Sequence, residues 1–271
     1  MSRSNRRLRK ALKRSQVMKF FAQLHPCIVG MESCGSAHHW ARRLRSCGHE
    51  VRMMAPQFVA PYRKSDKNDH NDAEAICEAC GRPNMRFVPI KTEEQQAVLM
   101  VHRVRSLMVG ERTSLVNQIR GLLSEFGIVL PQGRCHVRSQ LPGILEDAEN
   151  ELPVVAREVF ANQYKRLCDL DRKIGEYDKR IEALAQADEN AKRLMTLEGV
   201  GPITATALIA TVGDVRTLKR QPAIFSLARA CTQTVVNRWS SATWPDHQTW
   251  RRLSVNAADP RSSRCHALPD E

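Results

Sequence analysis

Apolar and polar positions follow two different rhythms along this chain, and the change comes near Glu93. Before it, Cys27 to Met31 and Glu50 to Met54 form short apolar runs that read as strands, with a short helix ahead of them over Gln16 to Gln23. Between the runs, Ser36 stands where a helix through Trp40 and Leu44 to Cys47 would be capped, and Gly48 ends that helix. Strand, helix, strand with short connections predicts a parallel α/β unit. Pro56 and Pro61 then break the pattern, and a polar stretch from Arg63 to Asn71 leads into a helix over Asp72 to Cys80 that Gly81 stops. Arg86 to Ile90 supplies one more edge strand.

From Glu93 the spacing becomes three-four. Ala97, Val101, Val104 and Met108, then Leu115, Ile119, Leu122 and Phe126, make one long amphipathic helix whose seam Glu111 and Arg112 interrupt. A Gly/Pro-punctuated loop from Gly127 to Gly143 turns the chain. Leu167, Leu170, Ile174, Tyr177, Ile181 and Leu184 then repeat the same spacing. Two long helices joined by a loop predict an antiparallel hairpin or coiled-coil arm, or two ordinary bundle helices.

Composition narrows the partners. The 271 residues carry a formal net charge of +13, a pI near 9.7 and 42% hydrophobic residues. Such a chain buries a core and presents a positive field to polyanions, so nucleic acid is the expected partner. A membrane is not expected: no apolar run has bilayer length, and the basic opening Arg3 to Arg14 lacks the apolar stretch of a signal peptide. Nine cysteines, an odd number at irregular intervals, imply reduced thiols in a cytoplasm, with the product at the nucleoid. Cys77 and Cys80 form a lone CxxC that reads as helix packing.

Candidate chemistry lies in the carboxylates. Glu32 ends an apolar strand, and Asp69 and Asp72 share a helix face three residues apart, so the three can converge on one divalent cation beside the carboxyl edge of a sheet. The same acids also suit an ordinary helix start. A second motif is Leu197-Glu198-Gly199-Val200-Gly201-Pro202-Ile203-Thr204. Its glycines make a tight turn and Pro202 opens the next helix, whose N–H groups can hold a phosphate. It is similar to a helix-hairpin-helix DNA contact and also to a plain helix-helix turn.

Gly30-Met31-Glu32-Ser33-Cys34-Gly35-Ser36 with Trp40, Pro56-Gln57 before Val59, Lys67-Asn68-Asp69 with Asp72-Ala73, and Gly199-Val200-Gly201-Pro202 resemble the Piv-type insertion-sequence transposases. The resemblance covers roughly Ser15 to Lys219. It implies a partial RNase H-like (RuvC-like) DEDD domain over 1–90, a long-helix hairpin or coiled coil over 91–190, and a helix-hairpin-helix part of a serine-bearing domain over 191–230. It implies Mg²⁺ held by Glu32, Asp69 and Asp72 as the second, third and fourth acidic ligands. Lys67 would lie close to phosphate, and Gly199, Val200, Gly201 and Thr204 would contact DNA. It further implies DNA as substrate, a structured guide RNA in some members, and a homo-oligomer through the helical arms. The reaction implied is DNA transposition, in which a serine hydroxyl attacks the phosphodiester.

Two departures from the family pattern are expected to matter. Family members open with a strand bearing Gly-Ile-Asp. Here that strand is missing, with Asp66 and Glu74 the nearby acids, so the sheet should lack its central strand and expose an edge. At the other end, apolar periodicity fades after Leu227 while Trp239, Trp244 and Trp250 appear, so 231–271 is expected to be irregular. Reading Ala242 to Arg251 one base downstream permits Arg-Leu-Gly-Arg-Ile-Thr-Lys-Arg-Gly-Asp, the family's carboxyl-terminal signature. The same shift over Val235 to Trp239 permits Ser-Ser-Thr-Gly-Gly. A frameshift after about Lys219 would therefore have replaced the nucleophilic serine, which Ser240 and Ser241 do not supply, and left a catalytically defective copy. The competing readings are a nucleic-acid-binding or subunit-binding protein without catalysis, and a Mg²⁺-dependent nuclease.

Overall fold

Val29 and Met31 are buried on one face of a strand and Ile28 is packed on the other, so this segment, β2 (Ile28–Glu32), lies inside a sheet rather than at its rim. The computed structural model describes residues 12–62 and 72–212 in full, and the backbone alone of 7–10, 69–71, 253–256 and 266–268. The chain divides into two units, 1–92 with 243–271, and 93–242. No helix among the described residues is long and apolar enough to cross a membrane.

In chain order the first unit holds β1 (Arg7–Lys10), α1 (Arg14–Ala22), β2, α2 (Ala37–Ser46), β3 (Glu50–Met54), α3 (Pro56–Val59), a 3₁₀ turn at Ala60–Tyr62, α4 (Asp69–Cys80) and β4 (Phe87–Val88). Near the carboxyl end it adds β5 (Leu253–Asn256) and β6 (His266–Leu268). The main sheet runs β4-β3-β2-β6, and β1 pairs with β5 as a separate antiparallel ribbon. β2 and β3 are parallel, with Ile28 opposite Glu50 and Glu32 opposite Met54. The strand expected over Arg86 to Ile90 is short and antiparallel to β3.

Two expectations for the outer ends need correction. The edge of β2 is not open, because β6 pairs with it in parallel from Val29↔His266 to Met31↔Leu268. Nor is 231–271 irregular throughout, since it contributes β5 and β6. Ladder bonds are made by backbone, so an extended segment of any sequence can satisfy an otherwise orphaned strand edge.

Helices cover both faces of the sheet. On α2, Ala37, Trp40, Ala41 and Leu44 are buried and pack with Val17 and Phe21 of α1 against Val29, Met31 and Met53. On the other face, Ala73, Ile76, Ala79 and Cys80 of α4 form a cluster with Met54 and Val59, flanked by Ile28. Ser36 occupies the position before α2 without a side-chain cap, and Gly48 takes φ +87, which closes the turn into β3. His49 pins the same corner. Its Nδ1 accepts from the Cys27 amide at 3.3 Å, so the proton sits on Nε2, which donates to the Phe21 carbonyl at 2.9 Å.

The second unit is helical over its described residues: α5 (Glu93–Glu125), α6 (Arg134–Glu146), α7 (Val154–Ala187), α8 (Glu189–Met195) and α9 (Pro202–Val212). Arg105 pairs with Asp178 and Arg112 with Asp171. Advancing seven residues on α5 retreats seven on α7, so the two long helices run antiparallel. Buried Leu115, Ile119 and Leu123 meet Leu167 and Phe160 in one cluster at the far end of this pair.

The loop expected from Gly127 to Gly143 contains a helix instead. Val137 and Leu141 are wholly buried there, and that burial outweighs the punctuation by Pro142 and Gly143. Pro142 cannot donate to the Arg138 carbonyl four residues back, and the Tyr164 hydroxyl of α7 donates to it at 3.3 Å instead. The carbonyls at the end of α6 are satisfied by Arg157, which donates to Ile144, Leu145 and Leu152 as well as to the Asn150 backbone and side chain.

Two measurements follow from this bonding. Arg157→Ala leaves part-buried carbonyls without donors and should lower unfolding free energy by about 2–3 kcal/mol in urea titration. Arg157→Lys should recover little of it, because one ammonium cannot reproduce a planar fork. His102 of α5 is buried and hydrogen-bonded to Thr206 of α9 at 2.9 Å, and burial first, then Arg105, lowers its pKa from 6.5 to about 4. The folded state therefore binds fewer protons than the unfolded one. Stability is complete above pH 6.5 and should fall by roughly 3 kcal/mol as pH drops to 4, a loss removed in His102→Gln.

Candidate functional site

The first candidate site is assembled by strand alternation. Ile28 packs on the α4 face of the sheet, so Glu32, four residues on, points to that same face. Glu32 is the last residue of β2, and its ladder partner Met54 is the last residue of β3. Beyond them the chain turns at once: the Ser33 amide donates to the Met54 carbonyl at 2.8 Å and the Cys34 amide to the Glu32 carbonyl at 3.1 Å. Glu32 thus stands at the carboxyl edge of two parallel strands, where open α/β sheets take ligands. It is only 6% exposed.

Asp72 lies in the first turn of α4 and is 8% exposed. The next residue, Ala73, shares a buried cluster with Met54. Strand end and helix start are thereby tied to one patch of core on the α4 face. Asp69 is the first residue of α4, one turn before Asp72; its side chain lies outside the described residues, as does Lys67 altogether. Among the described residues there is no group of three or more acidic, histidine or cysteine side chains able to hold a metal. The described donors, Glu32 and Asp72, supply hard carboxylate oxygens of the kind Mg²⁺ takes.

Nearby cysteines have other roles. Cys77 and Cys80 lie among the packed residues of α4. The Cys27 thiol lies 3.3 Å from His49 Nδ1, and burial raises its pKa, which keeps it protonated and unreactive.

The second candidate is the turn between α8 and α9. Asp188 accepts from the Asn190 amide at 2.8 Å and so caps α8. Gly199 takes φ +80, and the Gly201 carbonyl receives the Ala205 amide at 2.9 Å, the first bond of α9. Pro202 lacks an N–H, so the donors of this helix start without an intrahelical partner belong to Gly201, Ile203 and Thr204. Val200 is buried with Leu194, Ala205 and Leu208, whereas Gly201 is exposed and Thr204 half-buried.

Sequence reading missed His49, His102, Arg157 and Asp171. Only for Asp171 was there a signal: Arg112 breaks an apolar seam, and a buried cation on one helix requires an anion on the helix facing it.

Comparison with known proteins agrees with these motifs. Residues 1–128 match the domain family DEDD_Tnp_IS110, described as "Transposase", and residues 191–240 match "Transposase IS116/IS110/IS902 family". The second match runs past Lys219 and ends ahead of Trp244. Over 209 residues, 77% of the chain, it is 49% identical to a "Probable family 20 transposase" of Pseudomonas aeruginosa. Over 210 residues, 78% of the chain, it is 43% identical to the "Transposase for insertion sequence element IS1328" of Yersinia enterocolitica. Over 209 residues, again 77%, it is 40% identical to the "Transposase for insertion sequence element IS1111A" of Coxiella burnetii. The aligned part spans 62%, 62% and 57% of those relatives.

A glycine substitution separates fold from contact at the turn. No atom lies within 4 Å of a Cβ built at Gly201, and its φ is not positive, so Gly201→Ala should melt within about 1 °C of wild type. Its affinity for duplex DNA should nevertheless fall if the backbone approaches a phosphate, a difference that fluorescence anisotropy measures.

With the two matches in order along the sequence and relatives 40–49% identical over most of it, the chain carries the transposase domains of the IS110/IS116/IS902 family.

Proposed function

We propose that the chain is the metal-binding and nucleic-acid-contacting portion of a DEDD-type insertion-sequence transposase, a site-specific DNA recombinase. The observation that carries this is the burial of two carboxylates, Glu32 at the end of β2 and Asp72 in the first turn of the helix packed on the same face of the sheet, within the segment matched to the family's DEDD domain. In this reading Glu32, Asp69 and Asp72 hold Mg²⁺, which when bound supplies positive charge to the phosphoryl oxygens of the scissile bond. The protein's own contribution is rigidity: Glu32 is fixed by the β2–β3 ladder and Asp72 by the packing of Ala73 and Ile76, so neither carboxylate need reorganise as charge develops. Lys67 approaches the phosphate. Gly199, Val200, Gly201 and Thr204 position DNA without reading its bases. Homo-oligomer formation through the long helices, and a structured guide RNA, belong to the same proposal.

The copy itself we take to bind DNA rather than rejoin it. What supports this is the shifted reading of the Trp244 and Trp250 codons, which gives the family signature beyond the second family match at 191–240. The coding DNA tests this directly, since a downstream frame without that signature removes the case for a lost serine.

Titration calorimetry with MnCl₂ tests the carboxylates. Wild type should bind Mn²⁺ with a measurable heat, and Glu32→Gln and Asp72→Asn should each reduce the affinity at least about tenfold. Equal binding by all three proteins would remove the metal site. In a plasmid assay with Mg²⁺ the purified chain should yield DNA complexes and no strand-transfer product; recombined plasmid would overturn the proposed loss of catalysis.

A further inference from the structure

Asp171 of α7 holds three arginines at once. Arg112 of α5 donates to its Oδ1 at 3.0 Å, Arg134 of α6 to Oδ1 at 3.2 Å, and Arg138 of α6 to Oδ2 at 2.7 Å. Asp171 and Arg112 are little exposed, at 15% and 17%, whereas the side chains of Arg134 and Arg138 are about half exposed, at 54% and 48%. Three positive charges therefore meet one negative charge. Among the described residues, no other carboxylate bonds any of the three.

Such a set is poorly balanced as a purely internal ion pair. Arg134 and Arg138 lie four residues apart on one face of α6, and each spends a single Nη1 on Asp171. Their remaining N–H donors have no protein acceptor among the described residues. A guanidinium offers five donors in a planar fork that matches two oxygens of a phosphate. Asp171 holds the like-charged forks beside one another, and an incoming phosphate would balance the excess they present to solvent.

We infer that Arg134 and Arg138, steadied by Asp171 and Arg112, form a phosphate-contact site through which the second unit grips a nucleic-acid backbone. The inference rests on the proposed nucleic-acid function and adds a contact separate from the turn at Gly199 to Gly201. It falls in the stretch between the two family matches, apart from Arg112. The contact carries charge and orientation and no base readout, so it serves duplex DNA and RNA alike.

Salt dependence of binding tests it. Fluorescence anisotropy of the full chain with a labelled duplex DNA of about two helical turns, and separately with single-stranded RNA, gives the slope of log K against log salt. Each arginine that meets a phosphate contributes about 0.9 to that slope on duplex DNA and about 0.7 on a single strand. R134Q/R138Q should lower the slope by about 1 to 2 and weaken binding regardless of sequence. R172Q, which removes an exposed arginine paired with Asp169 and Glu176, should leave it unchanged. R134Q alone, at the most exposed member, serves if thermal melting shows the double variant unfolded. A fall on only one nucleic acid identifies the ligand as DNA or RNA. An unchanged slope for R134Q/R138Q on both, or an equal fall for R172Q, overturns the inference while wild-type binding stands. No binding by wild type to either would overturn the nucleic-acid reading and this site together.

Discussion

Parallel pairing of β2 and β3 is the constraint on which the candidate metal site depends. Two strands that run the same way end at the same edge, and the residues there leave the ladder together. Glu32 and Met54 are such a pair. A parallel connection also needs a crossover, and α2 supplies it within a few residues of Glu32, so the turn after the carboxylate is held by backbone bonds rather than by flexible loop. Were the pairing antiparallel, Glu32 would sit beside the start of its neighbour, and the helix carrying Asp72 would pack over a different part of the sheet.

Alternation then decides which cover each side chain meets. Val29 and Met31 face α1 and α2, while Ile28 and Glu32 face α4. Slipping β2 by one residue would send Glu32 into the α1–α2 core and Met31 to the helix that carries the aspartates. The apolar residues around Glu32 thus fix the direction in which a charged group points, although none of them can bind a cation.

Much of this was legible in the residues. β3 has the bounds its apolar run suggested, and α4 starts three residues earlier than its apolar spacing implied, because Asp69 to Asn71 are polar and add nothing to a periodic signal. α6 was not legible. Gly127, Gly133, Pro142 and Gly143 are strong local punctuation, and the burial of Val137 and Leu141 against α5 and α7 is a tertiary effect that no local window contains. For the same reason Arg157 read as one more basic residue, although its forks close the end of α6. The pairing of β6 with β2 was also hidden, since it joins segments at opposite ends of the chain through backbone groups alone. Of the site, the residue types and their spacing were legible. Their common face was not, because it depends on which side of the sheet α4 packs.

The two long helices show how charge can set geometry where apolar packing does not. Leucine and isoleucine seams tolerate sliding by a heptad, because each register buries similar side chains. Arg105 with Asp178 and Arg112 with Asp171 are both satisfied in one register only, since a slide by a heptad strands one arginine and one aspartate. Fixing register with charge carries a desolvation cost, and these pairs accordingly keep part of their surface in water, unlike the wholly buried Ile119 and Leu167. The arrangement that aligns the helices also gathers Arg134 and Arg138 around Asp171. A carboxylate needed for register thereby leaves a surplus of guanidinium at the surface, and polyanions are the ligands such a surplus attracts.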